Sequence, residues 1–106
     1  MTKRITTIVV GVMFAQVAYG QADSACFEQA AKRYRVSAQI LKSISRVESG
    51  GNPAAFHRNA NGSLDIGHMQ INSAWLPTLA RYGITRDHLT NSCVNTHVGA
   101  WILANN

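Results

Sequence analysis

Two pieces of one stretch decide the fold: Ser37-Ala-Gln-Ile-Leu-Lys-Ser-Ile-Ser-Arg-Val-Glu-Ser-Gly-Gly-Asn-Pro53 and, a little further on, Asn59-Ala-Asn-Gly-Ser-Leu-Asp-Ile-Gly-His-Met-Gln-Ile-Asn72. The first reads as an amphipathic helix. Ile40, Ile44 and Val47 recur at i, i+4 and i+7 with Leu41 beside them, the spacing of one helix face. Ser37 is a helix-capping residue, and Gly50-Gly51 with Pro53 stops the helix. Glu48 follows Ile44 by four positions and Leu41 by seven, so it projects from the same apolar stripe. A carboxylate there loses solvation, and the helix C-terminus adds partial negative charge. Both effects favour the protonated carboxyl that a general acid needs. The plainer alternative is a frayed helix end with Glu48 turned to water. In the second piece, Asn61-Gly62 is the strongest hairpin signal of the chain. It implies a small two-stranded ribbon with Leu64, Ile66 and Met69 available for packing.

Outward from this stretch the chain reads as mostly helical. Ser24 is placed to cap a first helix through about Arg35, with Phe27, Ala30, Ala31 and Tyr34 as its inner stripe. The Lys32, Arg33 and Arg35 cluster is most simply its solvated face. After the hairpin, Ser73 opens a helix over Trp75 to Arg81 with Leu76, Leu79 and Ala80 inward. Pro77 is tolerable because it falls in the first turn. Gly83 ends that helix and Thr85 caps one further turn to Leu89. Asn91 or Ser92 then starts a last helix carrying Val94, Val98, Trp101 and Ile102. That helix has no stop signal before Asn105-Asn106, so its apolar stripe asks for a partner and the domain reads as shortened. The fold class is mainly α with one small hairpin.

The 106 residues bound a single small domain. Residues 1–20 read as a cleaved secretory leader: Lys3 and Arg4 form a basic start, and Ile5 to Ala15 is a short apolar run. Ala18-Tyr19-Gly20 or Gly20-Gln21-Ala22 then offers small residues at the cleavage positions. The run is shorter than the ~20 residues of a membrane span, so a retained membrane anchor is the lesser reading. Cys26 lacks the preceding aliphatic residue of a lipid-anchor site. Cleavage would leave 21–106 and lower the formal net charge from +5 to +3 by removing Lys3 and Arg4. This modest positive balance suits an anionic surface polymer. Nucleic acid is excluded as a partner, since no basic run interleaves with aromatics and export removes the chain from it. In an oxidising compartment Cys26 and Cys93 are expected to form one disulfide, the alternative being two separately buried thiols. Neither has a second ligand at metal-binding spacing, so no metal and no cofactor are expected.

Asp65 follows Glu48 by seventeen residues, enough to leave a helix, cross a loop and return along a hairpin. Two carboxylates so placed can face each other across a cleft, as in glycosidases. The amides of Asn61, Gln70 and Asn72 suit sugar hydroxyls and acetamido groups, and Trp75 suits stacking on a sugar ring. Each also has a structural reading. Asn61 is a turn residue, Gln70 and Asn72 are ordinary strand polars, Trp75 is a core aromatic, and Asp65 is a brace for the hairpin.

Glu48-Ser-Gly-Gly-Asn-Pro53 and Gly67-His-Met-Gln-Ile-Asn72 resemble the first two signature motifs of the soluble lytic transglycosylase family. The closest flavour is its small members attached to conjugation (type IV) and type III secretion or pilus systems. The likeness runs from about Cys26 to Ala104 and includes Arg81-Tyr82-Gly83-Ile84, Cys93 and the segment Val98-Gly99-Ala100-Trp101-Ile102-Leu103. It implies an α+β lysozyme-like fold over 21–106, incomplete at its C-terminal end. It also implies cleavage of the β-1,4 bond between N-acetylmuramic acid and N-acetylglucosamine in peptidoglycan, with release of 1,6-anhydromuramyl ends. Glu48 matches the catalytic glutamate, and Ser49 and Gln70 match positions that orient the acid and contact substrate. Asp65, Asn72 and Trp75 complete the expected substrate-binding set. The implied location is periplasmic or secreted. The implied partners are peptidoglycan strands and components of a secretion or pilus machine, with membrane contact only through an uncleaved leader.

Two departures from the family pattern stand out. His68 occupies a position that is usually aliphatic; it is expected as a hydrogen-bonded cleft residue, the alternative being that it retunes Glu48. The third motif, an Ala-Tyr-Asn segment on a later helix, is absent. The hairpin through Trp75 also resembles that of animal-type lysozymes, with Asp65 at the second carboxylate; that likeness implies a retaining hydrolase instead. A third alternative is a catalytically inactive glycan-binding or assembly module.

Overall fold

A computed structural model describes residues 26–106; the expected leader and the Ser24 cap lie outside them. Residues 26–34 form helix α1, ended by Arg35 in the left-handed region at φ 58°. Its expected stripe holds: Ala30 and Ala31 are buried, and Phe27 and Tyr34 pack against the core. Helix α2, Ala38–Ser49, begins where the Ser37 hydroxyl accepts the Ile40 amide at 3.1 Å. It ends at Gly50, whose left-handed backbone (φ 65°) brings its amide to the Arg46 and Ser45 carbonyls.

Strands β1 (Phe56–Arg58), β2 (Leu64–Ile66) and β3 (Ile71–Asn72) form one antiparallel sheet in the order β1-β2-β3. Two strands were expected; the third arises because the chain reverses tightly over residues 67–70. There Gln70 takes φ 54° and its amide reaches the Gly67 carbonyl at 3.0 Å. The Asn61-Gly62 turn is wider than a two-residue turn: the Asn59 amide meets the Ser63 carbonyl at 2.8 Å, and Asn61 Oδ1 accepts the Ser63 amide at 2.9 Å. Asn61 therefore serves its own loop.

A 3-10 turn, Ser73–Trp75, precedes helix α3, Leu76–Ala80. Asn72, not Ser73, caps this unit by accepting the Ala74 amide at 3.0 Å, because the Ser73 hydroxyl is taken by the Leu64 amide at 2.9 Å. Ala80, expected inward, is exposed at the end of this five-residue helix, while Leu79 is buried. A second 3-10 turn, Asp87–Thr90, leads to helix α4, Ser92–Ala104, which Asn91 caps through the Val94 amide at 3.0 Å. No helix among the described residues is long and apolar enough to cross a membrane. Cys26 and Cys93 are joined by a disulfide, which ties the described start of α1 to the first turn of α4.

Helix α4 is the centre of the packing. Val98 and Ala100 are in the core, as are the polar Asn95 and Thr96. Asn95 is fully buried: Oδ1 accepts the Met69 amide at 3.0 Å, and Nδ2 donates to the Ile66 and Leu89 carbonyls at 2.9 Å each. This carboxamide holds residues 66–69 so close that a Cβ on Gly67 would collide with it. Gly99 likewise leaves room for the Met69 sulfur, which would lie 2.6 Å from an added Cβ.

A cavity of about 640 Å³ lies between α1, the segment after α3 and α4, lined among others by Arg33, Tyr34, Tyr82, His97 and Trp101. Burial lowers the pKa of His97 below its ordinary value of 6.5, and the Arg33 charge pushes the same way.

Asn95→Ala leaves three buried backbone groups without their partner, and a loss of about 3 kcal/mol or more is expected, checked by thermal unfolding followed by circular dichroism. His97 binds its proton less readily folded than unfolded, so it contributes a loss of stability as pH falls from about 6.5 through the lowered folded value. Urea unfolding of the wild type and His97→Gln between about pH 7.5 and pH 5 checks this: the variant is expected to lack that part of the slope.

Candidate functional site

The last turn of α2 is fastened to the sheet by Ser49. Its hydroxyl donates to the His68 carbonyl at 2.7 Å and accepts the Asn52 amide at 3.0 Å. Ser49, expected to orient the acid and contact substrate, fastens the helix to the reversal.

Glu48, one residue earlier, is exposed, and among the described residues its carboxyl takes no hydrogen bond or ion pair. The expectation that its own apolar stripe would shield it is corrected here. The face of α2 that packs inward is Leu41 and Ser45, with Ile44 partly buried; Ile40 is 51% and Val47 82% exposed. Glu48 lies on the uncovered side with Val47. The reason is rotational: the grip of residue 68 at Ser45 and Ser49 turns the Ser45 face of the helix inward.

On the sheet, pairing places His57 opposite Asp65 and Asp65 opposite Asn72. These three share one face, and Phe56, Ile66 and Ile71 form the neighbouring row on the other. Asn72 Nδ2 donates to Asp65 Oδ1 at 2.9 Å and to the Ser63 hydroxyl at 3.1 Å. Asp65 is half-buried and braced by this contact. Gln70 Nε2 donates to the Gly67 carbonyl at 2.9 Å and, longer, to that of Asp65 at 3.4 Å. Asp65, Gln70 and Asn72 are thus brought together as expected. Trp75 stands apart, half-buried with its ring edge-on to Trp101 at 5.8 Å between centroids.

His68, expected to line the cleft, is 2% exposed and lies inside the domain. Its Nδ1 is 2.7 Å from the Ser45 hydroxyl, and its Nε2 is 2.8 Å from Thr96 Oγ1 and 3.1 Å from the Ser92 carbonyl. Phe27 meets the ring edge-on at 5.6 Å. The position reads as apolar by its neighbours Ile66, Met69 and Ile71, and a polar ring fits there because Ser45 and Thr96 supply partners. The sequence reading missed two residues. His57 joins the polar row of Asp65, which alternation through Phe56-His57-Arg58 signals once the register is known. Ser45 was the other, a serine within the buried face of α2.

A helix whose last turn carries a glutamate, a small antiparallel sheet with Asp65 and Asn72 on one face, and a helix packed against both agree with an α+β lysozyme-like domain. The chain belongs to the transglycosylase SLT domain family, whose profile matches residues 25–106. It is similar to protein IpgF of Shigella flexneri, with 38% identity over 85 residues that cover 79% of this chain and 55% of that protein. It is similar to invasion protein IagB of Salmonella typhimurium, with 38% identity over 80 residues, 74% of this chain and 50% of that one. A peptidoglycan-binding-like protein of Escherichia coli is 31% identical over 109 residues, 95% of this chain and 64% of its own length. The chain spans about half the length of the first two relatives.

Asn72→Ala removes both the cap of the 3-10 turn and the brace on Asp65. A loss of about 1–2 kcal/mol is expected in urea unfolding, with Asn72→Asp retaining most of the cap.

Proposed function

We propose that this protein is a peptidoglycan lytic transglycosylase in which Glu48 is the catalytic acid and base. The observation that carries the reading is the Ser49 clamp: it holds the turn bearing Glu48 against the reversal that follows Asp65 and contains Gln70. A glycan strand laid over the polar row of the sheet would then cover the exposed carboxyl. Burial under the substrate would supply the loss of solvation that the free chain does not.

In this mechanism Glu48 protonates the leaving glycosidic oxygen as the bond from C1 of N-acetylmuramic acid breaks. The N-acetyl carbonyl of the same sugar shelters the cation at C1. The Glu48 carboxylate then takes the proton of the C6 hydroxyl while that oxygen bonds to C1, which closes the 1,6-anhydro ring without water. Gln70, whose Nε2 is held by the protein, offers Oε1 to the substrate, and Asn72 and Asp65 shape the floor. Trp75 contributes the face that Trp101 leaves uncovered.

The braced, half-buried Asp65 supports a second reading, a retaining lysozyme-type hydrolysis with Asp65 as nucleophile. The exposure of Glu48 supports a third, a glycan-binding or assembly module without turnover. The protein is proposed to work in the periplasm or outside the cell, delivered by the leader in residues 1–20. Local opening of the wall for a secretion or conjugation apparatus belongs to the same proposal; the likeness to a protein named for invasion supports a role in invasion.

Digestion of purified peptidoglycan followed by mass analysis of the products tests all three. Anhydromuramyl ends are expected, lost by a factor of about 10³ or more in Glu48→Gln and lowered less than about tenfold in Asp65→Asn. Reducing ends abolished by Asp65→Asn would establish the hydrolase. Binding without any product, unchanged in Glu48→Gln, would establish the third reading.

A further inference from the structure

Residue 68 bridges two helices at once. Its backbone carbonyl accepts from Ser49 and its Nδ1 meets Ser45, two residues one turn apart on α2 that flank Glu48. Its Nε2 meets Thr96 and the Ser92 carbonyl on α4. The direction of these bonds follows from their ends. A carbonyl only accepts, so Nε2 carries a hydrogen; the Thr96 hydroxyl donates to the Ser92 carbonyl at 2.9 Å and so accepts from Nε2. In the neutral ring Nδ1 then accepts from Ser45. The result is a directional run from Ser45 through His68 and Thr96 to Ser92, inside the core, where such bonds are strong and angle-dependent.

We propose that His68 is a positioning residue for Glu48, setting the turn that carries the carboxyl relative to the polar row of the sheet. This rests on Glu48 being the catalytic group. Apolar packing in the same place would hold α2 by contact alone and let it slide or rotate. The hydrogen-bonded ring fixes both its height and its azimuth, through two attachment points on one face. Displacement of a catalytic group by about 1 Å costs up to 10²-fold in rate, so the joint bears on turnover more than on stability. Replacing a buried polar run by apolar groups of similar shape is often neutral for folding.

The test compares the wild type with Ser45→Ala/His68→Leu/Thr96→Val, which removes the run while conserving volume. Expected are a midpoint of thermal unfolding close to the wild type, kcat lowered about tenfold or more, and KM unchanged within about twofold. Amide exchange at Gly50 and Gly51, whose hydrogen bonds close the end of α2, is expected to quicken about tenfold while Leu41 and Ala100 stay as slow as before. Unchanged kcat and unchanged exchange in the folded triple variant overturn the proposal. Glu48→Gln runs beside it: if that variant keeps its activity, or the wild type has none, the enzymatic reading falls, and local exchange alone decides the joint. Should the triple variant unfold, Ser45→Ala replaces it with the same readouts, and wild-type kcat and exchange there overturn the proposal as well.

Discussion

The carboxamide of Asn95 fixes backbone groups of Ile66, Met69 and Leu89 from the middle of α4, and the remaining geometry follows from that. With residues 66 and 69 held, the two residues between them have little freedom. Gly67 must lack a side chain, because the amide occupies that space. His68 must turn its ring inward between α2 and α4, where Ser45 and Thr96 meet it. The carbonyl of the same residue then faces Ser49. A single side chain on the central helix thus determines, through a four-residue reversal, where the end of α2 lies.

This dependence explains why the interior is polar at its most confined points. Asn95, Thr96, Ser45 and His68 are all buried; Asn95 satisfies backbone groups that the reversal cannot satisfy by itself, and the other three satisfy one another and the Ser92 carbonyl. An apolar residue at position 95 would pack, but it would leave the reversal without partners. The apolar core around these groups, with Leu41, Ile66, Leu79, Leu89 and Val98, supplies the non-directional part of the stability. The side of α2 bearing Ile40, Val47 and Glu48 takes no part in this arrangement, and it is there that the chain presents its carboxyl to solvent.

Local chemistry made much of this legible in the sequence. Ser37 and Asn91 cap the helices expected of them, Gly50 ends α2, Pro77 sits at the start of its helix, and the two cysteines pair. The Glu48-to-Pro53 and Gly67-to-Asn72 segments resembled the family to which the chain belongs. Long-range packing was not legible. Periodicity names a helix face but does not say what covers it, so the stripe of Ile40, Ile44 and Val47 was read as inward when Leu41 and Ser45 are the residues buried. A third strand of two residues carries no pattern of its own; it exists because Gln70 adopts a left-handed backbone beside Gly67. His68 was expected in the cleft, at a position that is usually aliphatic in the family, yet it is buried. Its partners lie 23 and 28 residues away along the chain, beyond what any local reading connects.

The link between Cys26 and Cys93 closes a separation of 67 residues, and such closure is worth about 4 kcal/mol by the chain-entropy estimate. That is a large share of what a domain this small holds in total. Where thiols are kept reduced, the chain forgoes this share and opens more often. For the exported chain proposed above, oxidation beyond the membrane would then make the folded form the one that persists. Folding is thereby timed by the redox state of the surroundings.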